Sequence, residues 1–263
     1  MLLRCLDFET TGEEPDIGIV EIGWADLHRG NWTEDGGDNW HIFLPEAQFP
    51  ISVGRSARPY ESHLVNPGQP ITPESSAIHH ITNEDVIGAM APPQALEFGL
   101  DCTPVSTVLV AHHADSDKAA LGGDHGYPWI DTWKVAVTLA PNAPGYGLQV
   151  LRYWLSLDLE RAWSLPAHRA GPDAYVCAAL LLRMLAKLSF EKMIEISAGP
   201  VLLPRFSFGK YFKQPIAEVP IDYLDWMLRQ RNEETGEFVF DKNVIHTCMT
   251  EIERRRKNWK GKL

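Results

Sequence analysis

Two carboxylates stand one residue apart near the start of the chain, in the sequence Leu6-Asp7-Phe8-Glu9. A β-strand directs side chains i and i+2 to the same face, so a strand here would bring Asp7 and Glu9 together. Two carboxylates in a poorly solvated place repel each other unless a proton or a cation lies between them. Hard oxygen ligands favour Mg²⁺ or Mn²⁺ over zinc. The pair therefore predicts a divalent-cation site, provided that further carboxylates join it.

Further acidic residues follow at places where α/β proteins put functional groups. Asp117 comes shortly after the apolar run Thr107–Ala111, which predicts a buried strand, and loops at strand ends commonly carry ligands. Asp173 follows Pro172, a residue suited to a helix entrance, at the start of a long apolar stretch. His168 lies just before it, within reach of whatever Asp173 binds. The His-x4-Asp spacing alone says little, because it occurs three times in the chain.

A histidine-rich stretch offers a competing interpretation. Its six possible zinc ligands are His112, His113, Asp115, Asp117, Asp124 and His125. Zinc normally takes a compact set of nitrogen and sulfur ligands, and no cysteine accompanies these residues. An unrelated metal hydrolase built on this stretch is therefore the minor alternative.

Composition indicates a globular protein with room for one large domain and a smaller one. The chain has 263 residues, of which 44% are hydrophobic and 22% are charged. No apolar run approaches the roughly 20 residues of a membrane span, so we expect no membrane contact. The four cysteines are far apart, which favours reduced thiols in the cytoplasm. The net charge of −11 argues mildly against a non-specific nucleic-acid coat, although a basic stretch closes the chain.

The hydrophobic pattern predicts the elements that must position these residues. We expect strands over residues 2–8, 18–27, 40–44, 62–66 and 107–111. We expect helices over residues 72–80, 148–155 and 174–188. Early strands followed by later helices indicate an α/β domain over residues 1–188. Gly199, Pro200 and Pro204 predict a linker over 189–204, and 205–263 would form a small module with a basic helical tail.

The order of these motifs resembles that of the DEDDh 3′–5′ exonucleases, the DnaQ-like group with an RNase H-like fold. Asp7-Phe-Glu9-Thr-Thr-Gly matches the first family motif, and Ala111-His-His-Ala with Asp117 is similar to the second. His168-Arg-Ala-Gly-Pro-Asp173-Ala is similar to the third.

Three departures from the family pattern fall near the expected substrate pocket. His113 stands where Asn is usual, and Ser116 where Phe is usual. The stretch Val65–Thr82 resembles the segment before the nucleotide pocket, with His80 in place of the usual Gly. These departures bear on substrate preference more than on activity.

The resemblance implies an RNase H-like mixed sheet flanked by helices, and hydrolysis of phosphodiester bonds from the 3′ end of nucleic acid with two Mg²⁺ or Mn²⁺ ions. Asp7, Glu9 and Asp173 would bind one ion, and Asp7 and Asp117 the other. His168 would accept the proton of the attacking water, and Glu9 would also lie near the terminal sugar. The substrate would be contacted by Phe8, Thr10, His80, Ile81 and His113. A catalytically inactive nucleic-acid-binding relative is the alternative.

The C-terminal segment is similar to that of the exodeoxyribonuclease X family, which favours DNA over RNA as the substrate. The resemblance is carried by Phe208-Gly-Lys-Tyr211, by 215–220 and by 223–230. Two roles fit this module equally well. It could dock on the nuclease domain through Tyr223 and Trp226, or it could contact DNA. The DNA contacts would come from Arg205, Lys210, Lys213 and the basic stretch 254–262.

Overall fold

The computed structural model describes residues 1–12, 17–30, 39–42, 58–100 and 107–260. Its strands are β1 (Leu2–Thr10), β2 (Ile19–Gly30), β3 (Asn39–Ile42), β4 (Glu61–Leu64), β5 (Thr107–Ala111) and β6 (Trp129–Asp131). They form one mixed sheet in the order β3-β2-β1-β5-β6, with β4 paired to β2. β1 runs antiparallel to β2 and parallel to β5, so the predicted α/β fold with a mixed sheet is confirmed.

Helices cover both faces of the sheet and build the C-terminal module. They are α1 (Pro73–His79), α2 (Pro92–Leu100), α3 (Ala114–Leu121), α4 (Thr132–Leu139), α5 (Leu148–Trp154), α6 (Ala170–Leu185), α7 (Phe190–Ala198), α8 (Ile221–Arg229) and α9 (Lys242–Lys260). α6 begins four residues before its predicted start, so Pro172 and Asp173 both lie in its first turn. Most of the irregular stretch 28–61 lies outside the described residues.

The side-chain alternation of β1 places its carboxylates. Leu3 and Cys5 are fully buried in the hydrophobic cluster that includes α6, whereas Leu6 packs in the cluster on the opposite face. Because side chains alternate along a strand, Asp7 and Glu9 continue the face of Leu3 and Cys5. The strand therefore directs both carboxylates toward the start of α6.

The start of α6 packs unusually close to β2 and to the start of β4, and two glycines allow it. A Cβ on Gly23 of β2 would collide with the main chain of Ala170 and Gly171. A Cβ on Gly171 would in turn collide with the ring of Tyr60. This close approach holds the first turn of α6, which carries Asp173, against the sheet.

The structure corrects the predicted linker, because residues 189–204 contain α7. Ser189 caps this helix by accepting the amide hydrogen of Lys192, and Met193 is fully buried. Ser197 holds the helix against the sheet: its Oγ accepts the amide hydrogen of Asp131 at 2.8 Å, and its carbonyl accepts from Lys134 Nζ at 2.9 Å. Gly199 and Pro200 thus mark the end of a helix instead of a flexible connection.

The C-terminal module has a hydrophobic core of its own, formed by Phe206, Ile216, Val219, Leu224, Met227, Val244, Cys248 and Ile252. Tyr223 packs at the edge of this core. The ring of Trp226 stacks on the ring of Tyr223 and is 42% exposed. The module joins the rest of the chain partly through an ion pair of 2.7 Å between Lys242 and Asp115. Its exact boundaries stay predictions.

No helix within the described ranges combines the length and apolarity that a bilayer crossing requires. Cys5, Cys177 and Cys248 are buried free thiols, and Cys102 lies outside the described residues.

We expect Gly23→Ala to destabilise the fold by about 1–3 kcal/mol, because an added methyl group must push α6 off the sheet. Urea unfolding followed by circular dichroism measures the change. Gly199→Ala is the matched control, since an added Cβ there meets nothing within 4 Å. Equal midpoints for the two variants would show that α6 is not held by close packing.

Candidate active site

Three carboxylates converge where β1 meets α6. One oxygen from each of Asp7, Glu9 and Asp173 lies within 4.8 Å of the others. Within the part of the chain that the structure describes, no other group of three or more histidine, cysteine or acidic side chains is this compact. The sequence prediction that a strand pair and a helix-start aspartate come together is thus matched by the geometry.

Burial and mutual repulsion oppose the ionised form of this cluster. Burial, followed by the charges of Asp173 and Glu9, raises the pKa of Asp7 well above its ordinary value. Burial and the charge of Asp173 raise the pKa of Glu9 to about 8. The pKa of Asp173 is also raised, chiefly by burial. A divalent cation would offset these charges, so the donor set fits one.

Asp117 adds a fourth buried carboxylate from α3. Burial raises its pKa to about 8, although the Phe8 amide hydrogen bond opposes the shift. Asp117 is not part of the compact group of three, yet its charge raises the pKa of both Asp7 and Glu9. The structure therefore places it beside the cluster, as a ligand of a second ion requires.

Two hydrogen bonds orient the carboxylate of Asp173. Gln149 Nε2 donates to Oδ1 at 2.6 Å, and the main-chain N–H of His168 donates to Oδ2 at 2.8 Å. His168 has a left-handed backbone, with φ of 59°, and its side chain is exposed. The residue that would accept the proton is thus tied to the cluster through its backbone, while its ring stays free to meet solvent.

An ion pair between buried Glu21 and half-buried Arg169 fixes the approach to α6, and sequence reasoning missed it. Arg169 donates to both oxygens of Glu21 at 2.8 Å, and the Ala170 amide and Ser62 hydroxyl donate to the same carboxylate. Although burial raises the pKa of Glu21, these hydrogen bonds outweigh it and lower the pKa below its ordinary value. Glu21 faces Glu9 across the β1–β2 pair, so Arg169 also moderates the repulsion there.

A second residue that sequence reasoning missed is His79, which is 2% exposed. Its Nδ1 accepts the amide hydrogen of Ile81 at 3.0 Å, so the neutral ring donates from Nε2 to the Thr10 carbonyl at 3.2 Å. Burial lowers the pKa of His79, in keeping with a neutral ring. It thereby supports the end of β1. His80, which the sequence motif emphasised, is exposed at the C-terminus of α1.

The other predicted substrate residues occupy varied surroundings. Ile81 is 2% exposed and packs in a small apolar cluster, and Phe8 is half-buried beside another. The Thr10 hydroxyl donates to the Gly12 carbonyl at 3.1 Å. His113 is exposed, with its ring 4.7 Å from that of Trp133. Their roles in substrate binding stay predictions.

The histidine-rich stretch does not assemble a zinc site. Both ring nitrogens of His112 are engaged, with Thr132 Oγ1 at 2.9 Å and the Tyr146 carbonyl at 2.7 Å. Burial lowers the pKa of His112 to about 3. His125 Nε2 lies 2.8 Å from the Leu121 carbonyl. These histidines therefore serve the fold.

Comparison with known proteins identifies the family. The chain is 30% identical over 241 residues to exodeoxyribonuclease 10 of Escherichia coli, an alignment that covers 90% of this chain and 94% of that protein. The chain belongs to the exodeoxyribonuclease X family of DEDDh exonucleases. It is therefore a 3′–5′ exonuclease that acts on nucleic acid, and the predicted RNase H-like fold is confirmed.

Two further similarities agree with this assignment. A PolC-type DNA polymerase III of Thermotoga petrophila is 29% identical over 205 residues, which cover 73% of this chain and 12% of that protein. A solved structure, exonuclease X in complex with 5′ overhanging duplex DNA, matches with a TM-score of 0.56 and 28% identity. That match covers 74% of this chain and 99% of the solved chain. No family model matches the sequence.

We expect the metal-free protein to lose stability as pH rises from about 4.5 to 8. Carboxyl groups whose pKa is raised on folding bind protons more tightly in the folded state, so raising the pH favours the unfolded state. Melting temperatures in EDTA across this range measure the loss. The slope should be shallower in Asp7→Asn, which removes one repelling charge. Identical slopes in the two proteins would contradict the assigned repulsion.

We expect Glu21→Gln to lower kcat about tenfold or more with little change in KM, because Arg169 loses its charged partner and the adjacent His168 is displaced. Asp26→Asn is the matched control. It breaks the Arg4–Asp26 pair of 2.7 Å, which joins β1 to β2 about 16 Å along β2 from Glu21. Both variants should lose stability in urea unfolding. If kcat falls equally in Glu21→Gln and Asp26→Asn, Glu21 has a purely structural role.

Proposed function

We propose that this exonuclease degrades DNA from the 3′ end with Mg²⁺ or Mn²⁺, and that RNA is the poorer substrate. The observation that carries the proposal is the convergence of Asp7, Glu9 and Asp173 at one point, with Asp117 beside them. Membership of a family whose E. coli relative is an exodeoxyribonuclease supports DNA as the substrate.

The acidic cluster would hold the cations. Asp7, Glu9 and Asp173 would bind one ion, and Asp7 with Asp117 would bind the second. When bound, such ions lower the pKa of a water molecule and offset charge on the leaving oxygen. The raised pKa values of these carboxyl groups support this assignment, because a cation is what lets them ionise together near neutral pH.

His168 would accept a proton from the attacking water. A neutral imidazole is suited to this near pH 7, and the ring is exposed to solvent. The backbone bond to Asp173 and the Arg169–Glu21 pair fix the segment that carries the ring. Gln149 would keep the Asp173 carboxylate turned toward the ion.

The terminal nucleotide would lie over the end of β1. Phe8 and Thr10 lie next to the carboxylates on this strand. His80 is exposed at the end of α1, and the preceding residue, buried His79, is hydrogen-bonded to the Thr10 carbonyl. Ile81 is buried, so it would support the nucleotide pocket through packing. The exposed His113 lies at the start of α3, four residues before Asp117.

Retention of four acidic residues and His168 does not favour an inactive relative. The buried free thiols support a cytoplasmic location.

The test is digestion of 3′- and 5′-labelled single- and double-stranded DNA and RNA. With Mg²⁺ or Mn²⁺, DNA should be shortened from its 3′ end faster than RNA, and EDTA should stop the reaction. Asp7→Asn should bind DNA and leave it intact. Faster digestion of RNA, or wild-type turnover by Asp7→Asn, would contradict the proposal.

We expect His168→Ala to slow cleavage by about two to four powers of ten, the usual contribution of a positioned general base. Mg²⁺ affinity should hardly change, because the bond to Asp173 comes from the backbone amide that alanine retains. Single-turnover kinetics and calorimetry measure the two quantities. Loss of an ion-binding site would instead make His168 a ligand.

A further inference from the structure

A cleft of about 700 Å³ separates the nuclease domain from the C-terminal module. One wall comes from the start of α3 and from 143–147, the turn before α5. The facing wall comes from 203–208 and from Phe212 and Lys213 of the module. The cleft thus exists only because the module is docked where it is.

The turn before α5 connects the cleft with the active site. Tyr146 and Gly147 line it, and Gly147 is the N-cap of α5, whose second residue Gln149 donates to Asp173. Asp117 lies in the helix whose first residues border the cleft. These shared elements are the route by which a strand with its 3′ end at the acidic cluster would reach the cleft.

Two cations in the module wall are available to a ligand. No acidic side chain within the described ranges forms an ion pair with Arg205 or Lys213. Arg205 lies close enough to Tyr146 to lower the pKa of that phenol, against the larger effect of burial. Lys213 Nζ lies 5.0 Å from the ring of Phe212, which is 53% exposed. Exposed aromatic rings beside cations are typical of surfaces that bind single-stranded nucleic acid.

Each of the three carboxylates that line the cleft has an ion-pair or hydrogen-bond partner. Asp115 is paired with Lys242 at 2.7 Å. Asp131 accepts the amide hydrogen of Trp133 at the start of α4, and Asp241 accepts that of Asn243 at the start of α9. Only Asp115 is neutralised by a cation, whereas Asp131 and Asp241 keep their charge. The third cation of the lining, Lys134, is buried and donates to the Ser197 carbonyl, which leaves Arg205 and Lys213 as the cleft cations that can meet a polyanion.

The basic stretch in α9 is less available than its sequence suggests. Arg254 and Arg255 both pair with Glu251, and Lys257 pairs with Glu253 at 2.7 Å. Arg255 also donates to carbonyls of the module, including that of Val219 at 2.8 Å. Much of this stretch is engaged within the module.

We propose that this cleft binds the strand being digested, upstream of its 3′ end, through Arg205, Lys213 and the ring of Phe212. The proposal rests on the nucleic-acid exonuclease activity described above and adds a second binding region to the same reaction. Phosphates would contact the two cations, and a base would stack on Phe212. The occupant is single-stranded, because the aromatic contact requires an unpaired base.

The test compares Arg205→Ala/Lys213→Ala with wild type on labelled single-stranded DNA of about 5 and about 30 nucleotides. On the long substrate KM should rise at least tenfold, and the slope of log KM against log salt should fall by about 1.4, since each single-strand phosphate contact contributes roughly 0.7. On the short substrate kcat and KM should stay near wild type. Phe212→Ala should also raise the long-substrate KM, by about tenfold.

Lys257→Ala is the matched control, since it removes a cation of α9 that pairs with Glu253. It should leave the long-substrate KM and salt slope unchanged. Lys213→Glu, with its melting temperature checked, serves as a second variant if the double variant is unstable. Unchanged KM and salt slope in the cleft variants would overturn the proposal, and so would an equal effect of Lys257→Ala. If no protein digests either substrate, the proposed exonuclease function fails instead.

Discussion

The repulsion among buried carboxylates is the constraint around which this nuclease is built. Asp7, Glu9 and Asp173 are brought within 4.8 Å in a place where burial already disfavours charge. Such a cluster lowers the stability of the empty fold, and only protons or cations can relieve it. The raised pKa values of these carboxyl groups mean that they keep their protons to a higher pH than ordinary carboxyl groups do. A divalent cation would replace those protons, so that ion binding and ionisation of the site would be one event.

The surrounding scaffold opposes this repulsion without neutralising the cluster. Gly23 lets α6 approach the sheet, and the Glu21–Arg169 pair anchors the segment before that helix. Arg169, the cation of this pair, is bound to Glu21 and not to the cluster, so the cluster keeps its attraction for a metal ion. The hydrogen bond from Gln149 to Asp173 likewise orients a carboxylate without adding a charge. The same architecture thus supports the position of the ligands and preserves their affinity for cations.

Sequence reasoning captured what local periodicity determines. The two-residue period of β1 predicted that Asp7 and Glu9 share a face, and Pro172 placed Asp173 at a helix entrance. That Asp173 joins the pair at one site came from the resemblance to the DEDDh family. It missed Glu21 because its partner Arg169 lies 148 residues away, and only the packing of α6 on β2 joins them. The segment predicted as a linker proved to be α7, since its glycine and proline end a helix. The sequence also did not show which basic residues are available to bind nucleic acid, because that depends on which acidic side chains pair with them in the folded protein.

Proton release on binding Mg²⁺ tests the central claim most directly. Glu9 and Asp117, with pKa values of about 8, hold protons at pH 7 in the metal-free protein and must give them up to ligate ions. Calorimetric titrations in buffers of different ionisation enthalpy count these protons. Because the pKa values of Asp7 and Asp173 are raised as well, the structure predicts net proton release at pH 7 that decreases as the pH is raised to 9. Tight binding at pH 7 without proton release would contradict the claim that repulsion between buried carboxylates governs this site.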